Sequence, residues 1–309
     1  MKARLANPRG FCAGVDRAIE IVKRALDRYG APVYVLHEIV HNKHVLEDLR
    51  QRGTIFVKEL DEVPGGAVTI FSAHGVSDSV VEAGKARGLR VIDATCPLVT
   101  KVHTQAQDYA ADEREMILIG HQGHPEVEGT RGRIVGPVHV LSTPEEVRTL
   151  EVEDPQRLAY VTQTTLSVDD TRDVIAALVE KYPLIKGPNV KDICYATQNR
   201  QNAVKQLVSQ IDLLLVVGSA NSSNSNRLRE LGERSGVPSV LVDHPNQLRR
   251  EWFQDCENVG VTAGASAPEI LVNLVLERLR EFGVHEAIEL DGESEEVVFQ
   301  MPPELLTED

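Results

Sequence analysis

A three-part unit occurs three times in this chain and constrains its fold more than any other feature: an apolar, β-branched run, a single cysteine, and a helix-like stretch. The middle copy is Val91-Ile92-Asp93-Ala94-Thr95-Cys96-Pro97. The first is Arg4-Leu5-Ala6-Asn7-Pro8-Arg9-Gly10-Phe11-Cys12, leading into Ala13 to Val22; the third is Val190-Lys191-Asp192-Ile193-Cys194, leading into Tyr195 to Val204. The run before each cysteine reads as a buried strand and the pattern after it as a helix. Three strand ends, each presenting one thiol at a helix start, point to three sulfurs converging on one place.

A larger repeat surrounds each cysteine. Val33 to Leu36 reads as a strand that runs into His37-Glu38-Ile39-Val40-His41-Asn42, and Ala67 to Phe71 as one that runs into Ser72-Ala73-His74-Gly75-Val76-Ser77, with a short strand at Thr54 to Val57 between them. In the middle third, Met116 to Gly120 ends in His121-Gln122-Gly123-His124-Pro125-Glu126, and Leu158 to Val161 ends in Thr162-Gln163-Thr164-Thr165. In the last third, Leu213 to Gly218 ends in Ser219 to Asn226, and Val259 to Gly264 ends in Ala265-Ser266-Ala267. From each cysteine to the second polar loop is 29, 28 and 30 residues (to His41, His124 and Asn224), and to the third 62, 68 and 72 (to His74, Thr164 and Ser266). Spacing that recurs so closely marks an internal repeat.

Alternating strand and helix argues for parallel sheets, whose ligands bind outside the carboxyl ends of the strands. The expectation is α/β: three small parallel-sheet lobes in pseudo-threefold arrangement around one central site. The boundaries read as residues 1–95, 96–193 and 194–282, with an acidic C-terminal tail at 283–309. That tail holds nine acidic residues and no Lys or Arg, while the rest of the chain carries a net charge of only -5 out of the total of -14. It reads as a solvated segment without a chemical role. The acidic balance also argues against a broad nucleic-acid-binding face. No apolar run is long enough to span a bilayer and no signal region opens the chain, so a cytoplasmic location is expected.

Four cysteines without a Cys-x-x-Cys pair are too few for a disulfide framework in 309 residues. Any one of them would ordinarily be a small buried apolar residue. The threefold setting singles out Cys12, Cys96 and Cys194, whereas Cys256 lacks it and reads as structural. Three cysteines and a histidine are a zinc donor set, although dispersed ligands are less usual there than short paired spacings. Around an iron-sulfur cluster, which normally takes four thiolates, three would leave one iron open to a substrate oxygen. Ser, Thr, Asn and His at helix N-termini suit an anionic phosphate group. Each alone is as well explained as an N-cap, but their occurrence with histidines at equivalent places favours a ligand.

The motifs Asn7 to Val15, His37 to Asn42, Ser72 to Ser77, Asp93 to Pro97, Gly120 to Gly129, Thr162 to Ser167 and Asn221 to Arg227 together closely resemble the family of 4-hydroxy-3-methylbut-2-enyl diphosphate reductases, from Leu5 to about Pro302. The resemblance implies a [4Fe-4S] cluster on Cys12, Cys96 and Cys194, its unique iron taking the substrate hydroxyl. It implies Glu126 as proton donor, with Thr164 and His124 near that hydroxyl, and His41, His74, Ser222, Ser223, Asn224 and Ser266 on the diphosphate. The implied reaction is the reductive dehydroxylation of an allylic diphosphate to isopentenyl and dimethylallyl diphosphate, the last step of the methylerythritol phosphate route. An electron donor such as ferredoxin or flavodoxin is implied as partner. For Glu126 to release the hydroxyl as water it must be protonated, and burial beside an anionic substrate raises a carboxyl pKa toward that state. Two rivals remain at this point: a threefold lyase such as quinolinate synthase, which lacks the His-Pro-Glu and Asn-Ser-Ser-Asn loops, and a redox sensor, which needs no acid.

Overall fold

The computed structural model describes residues 1–188 and 192–306. Strands and helices alternate along the chain: β1 (Lys2–Leu5), α1 (Ala13–Tyr29), β2 (Val33–Leu36), α2 (Lys43–Gln51), β3 (Thr54–Val57), β4 (Val68–Phe71), α3 (Asp78–Ala86), β5 (Arg90–Asp93), α4 (Pro97–Ala111), β6 (Glu115–Ile119), α5 (Pro125–Arg131), β7 (Val138–Leu141), α6 (Pro144–Thr149), β8 (Leu158–Thr162), α7 (Val168–Lys181), α8 (Tyr195–Leu207), β9 (Leu213–Val217), α9 (Ser223–Arg234), β10 (Ser239–Val242), β11 (Asn258–Ala263), α10 (Glu269–Glu281) and β12 (Glu286–Glu289). They form three sheets of order β10-β9-β11-β1-β12, β3-β2-β4-β5 and β7-β6-β8. Every strand pair in them is parallel.

The chain divides into two compact units. The first comprises Met1–Asp16, His41–Asp48 and Tyr195–Val298, and contains the five-stranded sheet; the second comprises Arg17–Val40, Leu49–Cys194 and the residues from Phe299 onward, and contains the other two. In the first unit, successive residues of β9 point to opposite faces, as the two-residue period of a strand requires. Leu213, Leu215 and Val217 pack with Leu271, Val272 and Val275 of α10, while Leu214 and Val216 pack with Val204 and Leu207 of α8 and Leu228 of α9. In the second unit β6 repeats the plan, with Ile117 and Ile119 toward α7 and Met116 and Leu118 toward α4. Both strands are buried at every position. That is why they stand out in the sequence as unbroken apolar runs.

Three expectations are corrected. The strand before Cys12 belongs not to a self-contained N-terminal lobe but to the sheet of the last third: β1 lies between β11 and β12. The lobes are therefore not contiguous stretches ending at 95, 193 and 282. The strand expected at Val190 to Cys194 falls partly on residues outside the described ones; Asp192 and Ile193 form a bend, and the parallel link to β8 is a single bridge from Lys186 to Ala159. The acidic tail is not wholly solvated, since β12 extends the sheet and Glu289 and Glu295 pair with Arg9 and Arg200. Charge composition cannot reveal such partners, because they lie roughly a hundred residues or more away in sequence. The structure also adds β7 and β10, edge strands that match β3 in position but bury only their last residue.

Candidate active site

One hydrogen bond recurs at each cysteine and gives the repeat a physical form. The backbone N–H of Cys12 donates to the carbonyl of Ala265 (3.2 Å), that of Cys96 to Ala73 (3.0 Å) and that of Cys194 to Thr164 (3.1 Å). Each cysteine is thus tied to the polar loop that follows a neighbouring strand, and each immediately precedes a helix: α1, α4 and α8. In α4, Cys96 is the N-cap itself, with Pro97 in the first turn where its missing N–H costs nothing. Helix N-termini favour a thiolate over a thiol. None of the four cysteines is in a disulfide. Burial pushes the Cys12 thiol up, and the Arg200 charge with the N–H groups of Val15 and Gly14 opposes it. Cys256 is different: it follows a short helical turn and packs against the core beneath α10, with its thiol pushed up to about 11 by burial and by Asp212.

In the first unit the structure brings His41, Ser222, Ser223, Asn224 and Ser266 onto neighbouring loops. Ser222 caps α9 by accepting the N–H of Ser225 at 3.3 Å. Asn224 is buried; its Oδ1 accepts the N–H of Ala265 (2.9 Å) and its Nδ2 donates to Thr197 Oγ1 (3.4 Å). Ser266 Oγ donates to the carbonyl of His41 (2.9 Å), and Asn221 Nδ2 lies 3.3 Å from His41 Nδ1. The close seating of α9 depends on Gly218 and Gly264, where a Cβ would stand 2.3 and 2.0 Å from Ser225 Oγ. None of the five carries a permanent charge. What they offer an anion is hydroxyl, amide and imidazole groups beside a helix N-terminus.

The second unit holds His74, His124, Glu126 and Thr164. His124 caps α5, its Nδ1 accepting the N–H of Glu126 at 3.2 Å. In the neutral ring the proton is therefore on Nε2. His74 meets His124 edge-on, with ring centroids 5.8 Å apart, and its Nδ1 lies 3.3 Å from Ser72 Oγ. Glu126 is 3% exposed, and its Oε1 accepts the N–H of Thr164 at 2.6 Å. Burial, with a smaller push from Asp192, raises its carboxyl to about 7, although the hydrogen bonds from Thr164 pull the other way. Since Thr164 also receives the N–H of Cys194, acid, threonine and cysteine form one connected run.

The helix-capping explanation of these loops thus holds for Ser222 and His124 in full, and is compatible with a second role. Two residues escaped the sequence reading. Thr165 occupies the place equivalent to His74 and Ser266, one past the carbonyl that each cysteine amide binds; it accepts a hydrogen bond from Gln163 Nε2 at 2.9 Å. Asp192 buries its side chain, accepts the N–H of Thr162 at 3.2 Å, lies 3.7 Å from Lys101 and is raised to about 6, chiefly by burial. An acidic residue two positions before the third cysteine was the available signal.

A model of the LytB protein family matches residues 3–280. The chain belongs to the LytB protein family. This LytB chain is 61% identical to the 4-hydroxy-3-methylbut-2-enyl diphosphate reductase of Hahella chejuensis and 59% identical to that of Pseudomonas aeruginosa, in each case over 99% of this chain and 98% of the relative. Its fold is similar to that of the E-1-hydroxy-2-methyl-but-2-enyl-4-diphosphate reductase from Plasmodium falciparum, with a TM-score of 0.95 at 38% identity, covering 99% and 96% of the two chains. A second solved (E)-4-hydroxy-3-methyl-but-2-enyl diphosphate reductase, described as the terminal enzyme of the non-mevalonate pathway, matches with a TM-score of 0.65 at 31% identity over 91% of this chain and all of its own. Among the described residues of this LytB chain, no helix is long and apolar enough to cross a membrane.

Proposed function

We propose that this chain catalyses the reductive dehydroxylation of (E)-4-hydroxy-3-methylbut-2-enyl diphosphate: two electrons and two protons remove the hydroxyl as water and leave isopentenyl and dimethylallyl diphosphate. The observation that carries the proposal is Glu126, a buried carboxyl held near neutrality on the Thr164 N–H. An acid in that range is half protonated at neutral pH and gives its proton up readily. The names of relatives at about 60% identity over nearly the whole chain support the same reading.

Cys12, Cys96 and Cys194 are assigned to a [4Fe-4S] cluster. Among the described residues no group of three or more His, Cys, Asp or Glu stands ready for a single metal ion. The assignment rests instead on the donors: three cysteines outside any disulfide, each at a helix N-terminus and each tied by the same backbone bond. When bound, such a cluster supplies electrons and Lewis acidity toward the hydroxyl.

The chain's own residues do the rest. Glu126 delivers a proton to the departing oxygen, with Thr164 fixing its carboxyl and His124 beside it. His41, His74, Ser222, Ser223, Asn224 and Ser266 hold the diphosphate through N–H and O–H donors. His124 and Thr164 also contact the substrate near its hydroxyl. A one-electron carrier protein such as ferredoxin or flavodoxin is the donor this chemistry calls for. The cytoplasm, which keeps thiols reduced, is the compartment that suits four cysteines without a disulfide. The decisive experiment is anaerobic turnover of the allylic diphosphate with a chemical reductant, counting electrons and products. Two electrons per product are expected, and an iron-loaded protein inert toward this substrate would defeat the proposal.

A further inference from the structure

Arg200, in α8, is the largest fully buried side chain among the described residues. Its guanidinium is spent on one loop and one acid. Nε donates to the carbonyl of Gly10 (2.9 Å), and Nη2 donates to the carbonyls of Gly10 (2.7 Å) and Phe11 (3.0 Å). Nη1 donates to the carbonyl of Ala196 (2.9 Å), and both terminal nitrogens reach the Glu295 carboxylate at 3.0 to 3.2 Å. Asn199 Nδ2 adds a further hydrogen bond to Glu295 Oε1 at 3.1 Å.

Gly10 and Phe11 are the two residues before Cys12. The other side of the same loop is pinned by Gly10 N–H on the carbonyl of Ala263 (3.1 Å) and by Cys12 N–H on that of Ala265. Gly10 has φ +70°, and a Cβ there would stand 3.1 Å from the carbonyl oxygen of Ala267, so the loop admits little variation. Backbone carbonyls satisfy a guanidinium's donors but do not cancel its charge, and an uncompensated charge in a buried place is costly. Glu295 supplies that cancellation from a segment without regular secondary structure.

We propose that Arg200 and Glu295 are positioning residues for Cys12: the guanidinium fixes the turn that presents the thiol, and the carboxylate, by offsetting the guanidinium's charge, sets the reduction potential of the cluster that Cys12 helps to hold. The proposal rests on the iron-sulfur reading above. Reduction makes a cluster more negative, so an uncompensated guanidinium nearby favours the reduced form; net charge and hydrogen bonding are among the levers that set such potentials. Lysine in place of Arg200 keeps the charge but has no planar fork with which to span two carbonyls and a carboxylate.

The test uses the full-length protein purified without oxygen as wild type, Glu295→Gln, Glu295→Asp, Arg200→Lys and the exposed neighbour Glu293→Gln. Iron and sulfide per chain, the melting temperature, the rate of iron loss to a chelator and the cluster midpoint potential by paramagnetic resonance are measured. Glu295→Gln should keep its iron and shift the midpoint to a more positive value. Glu295→Asp and Glu293→Gln should titrate as wild type, and Arg200→Lys should lose iron to the chelator several-fold faster. Iron-bearing wild type and Glu295→Gln with the same midpoint would overturn this proposal and leave the iron-sulfur reading standing. Wild type without iron would overturn both. Unfolding of both Glu295 variants would reduce the pair to a structural role and overturn it as well.

Discussion

The two groups of site residues are built on the same kind of strand-end loop, yet they treat charge in opposite ways. In the first unit Ser222, Asn224 and Ser266 bury neutral polar atoms, and each has a backbone or side-chain partner within the unit. In the second, Glu126 buries a titratable carboxyl whose held oxygen meets a neutral N–H, while Lys101 lies instead against Asp192. A buried acid with no cation beside it is driven toward its protonated form. On the proposed function such a loop would carry a proton, whereas Ser222, Asn224 and Ser266 would bind. On the proposed function, one side chain, Glu126, turns a loop of this shared kind from binding to proton transfer.

The largest expected effect crosses both regions. Replacing Cys12, Cys96 or Cys194 by Ser should each abolish iron retention and turnover, regardless of which unit carries the cysteine, while Cys256→Ser keeps both. Iron analysis checks this, and a Cys96 variant with full iron would break the assignment. The second effect separates the regions. Glu126→Gln keeps size and the hydrogen bond from Thr164 but removes the proton, so kcat should fall by at least ~10²-fold with KM little changed. A near-normal kcat with a raised KM would move Glu126 to the binding side of the comparison.

The same carboxyl predicts a pH dependence. Its folded-state pKa, about 7, lies above its ordinary value of 4.5, so the folded protein holds that proton more tightly than the unfolded chain does. Its contribution to stability is therefore lost as pH rises from about 4.5 to 7, and turnover that needs the protonated form should decline above about 7. Glu126→Gln should be the more stable protein above pH 7, by roughly 2–3 kcal/mol, with the advantage gone by pH 4. Denaturant melts across that range measure it, and a pH-independent difference would assign the burial cost elsewhere.

Smaller effects belong to the binding region. Asn224→Ala should raise KM on the order of 10-fold with kcat preserved, because it removes contacts made equally in ground and transition states. It also strands the buried N–H of Ala265, at a cost of about 1–3 kcal/mol. Ser222→Ala should cost about 1 kcal/mol through loss of the α9 cap, with a slighter change in KM. An intact melting temperature with a large KM change would show that the hydroxyl serves the ligand more than the helix.

The legible part of this protein is what repetition and periodicity encode. Buried parallel strands such as β6 and β9 appear as apolar runs because both faces are covered, and the cysteine spacings announce three equivalent loops before any coordinates are seen. The edge strands β7 and β10 stayed hidden because they bury one residue in four. Thr165 went unremarked beside Thr164, since a spacing count cannot separate two adjacent threonines. Hydrogen bonds can.

By itself the sequence determined the all-parallel α/β class, the three matched cysteines, the family, and the chemical type of each candidate residue, because these follow from local pattern and spacing. Only the tertiary structure decided that β1 pairs into the sheet of the last third, that burial raises the Glu126 carboxyl to about 7, and that Glu295 of the acidic tail answers the buried charge of Arg200. Each of these depends on which groups meet across long stretches of chain. Burial and electrostatic pairing are properties of that meeting, and no local pattern contains them.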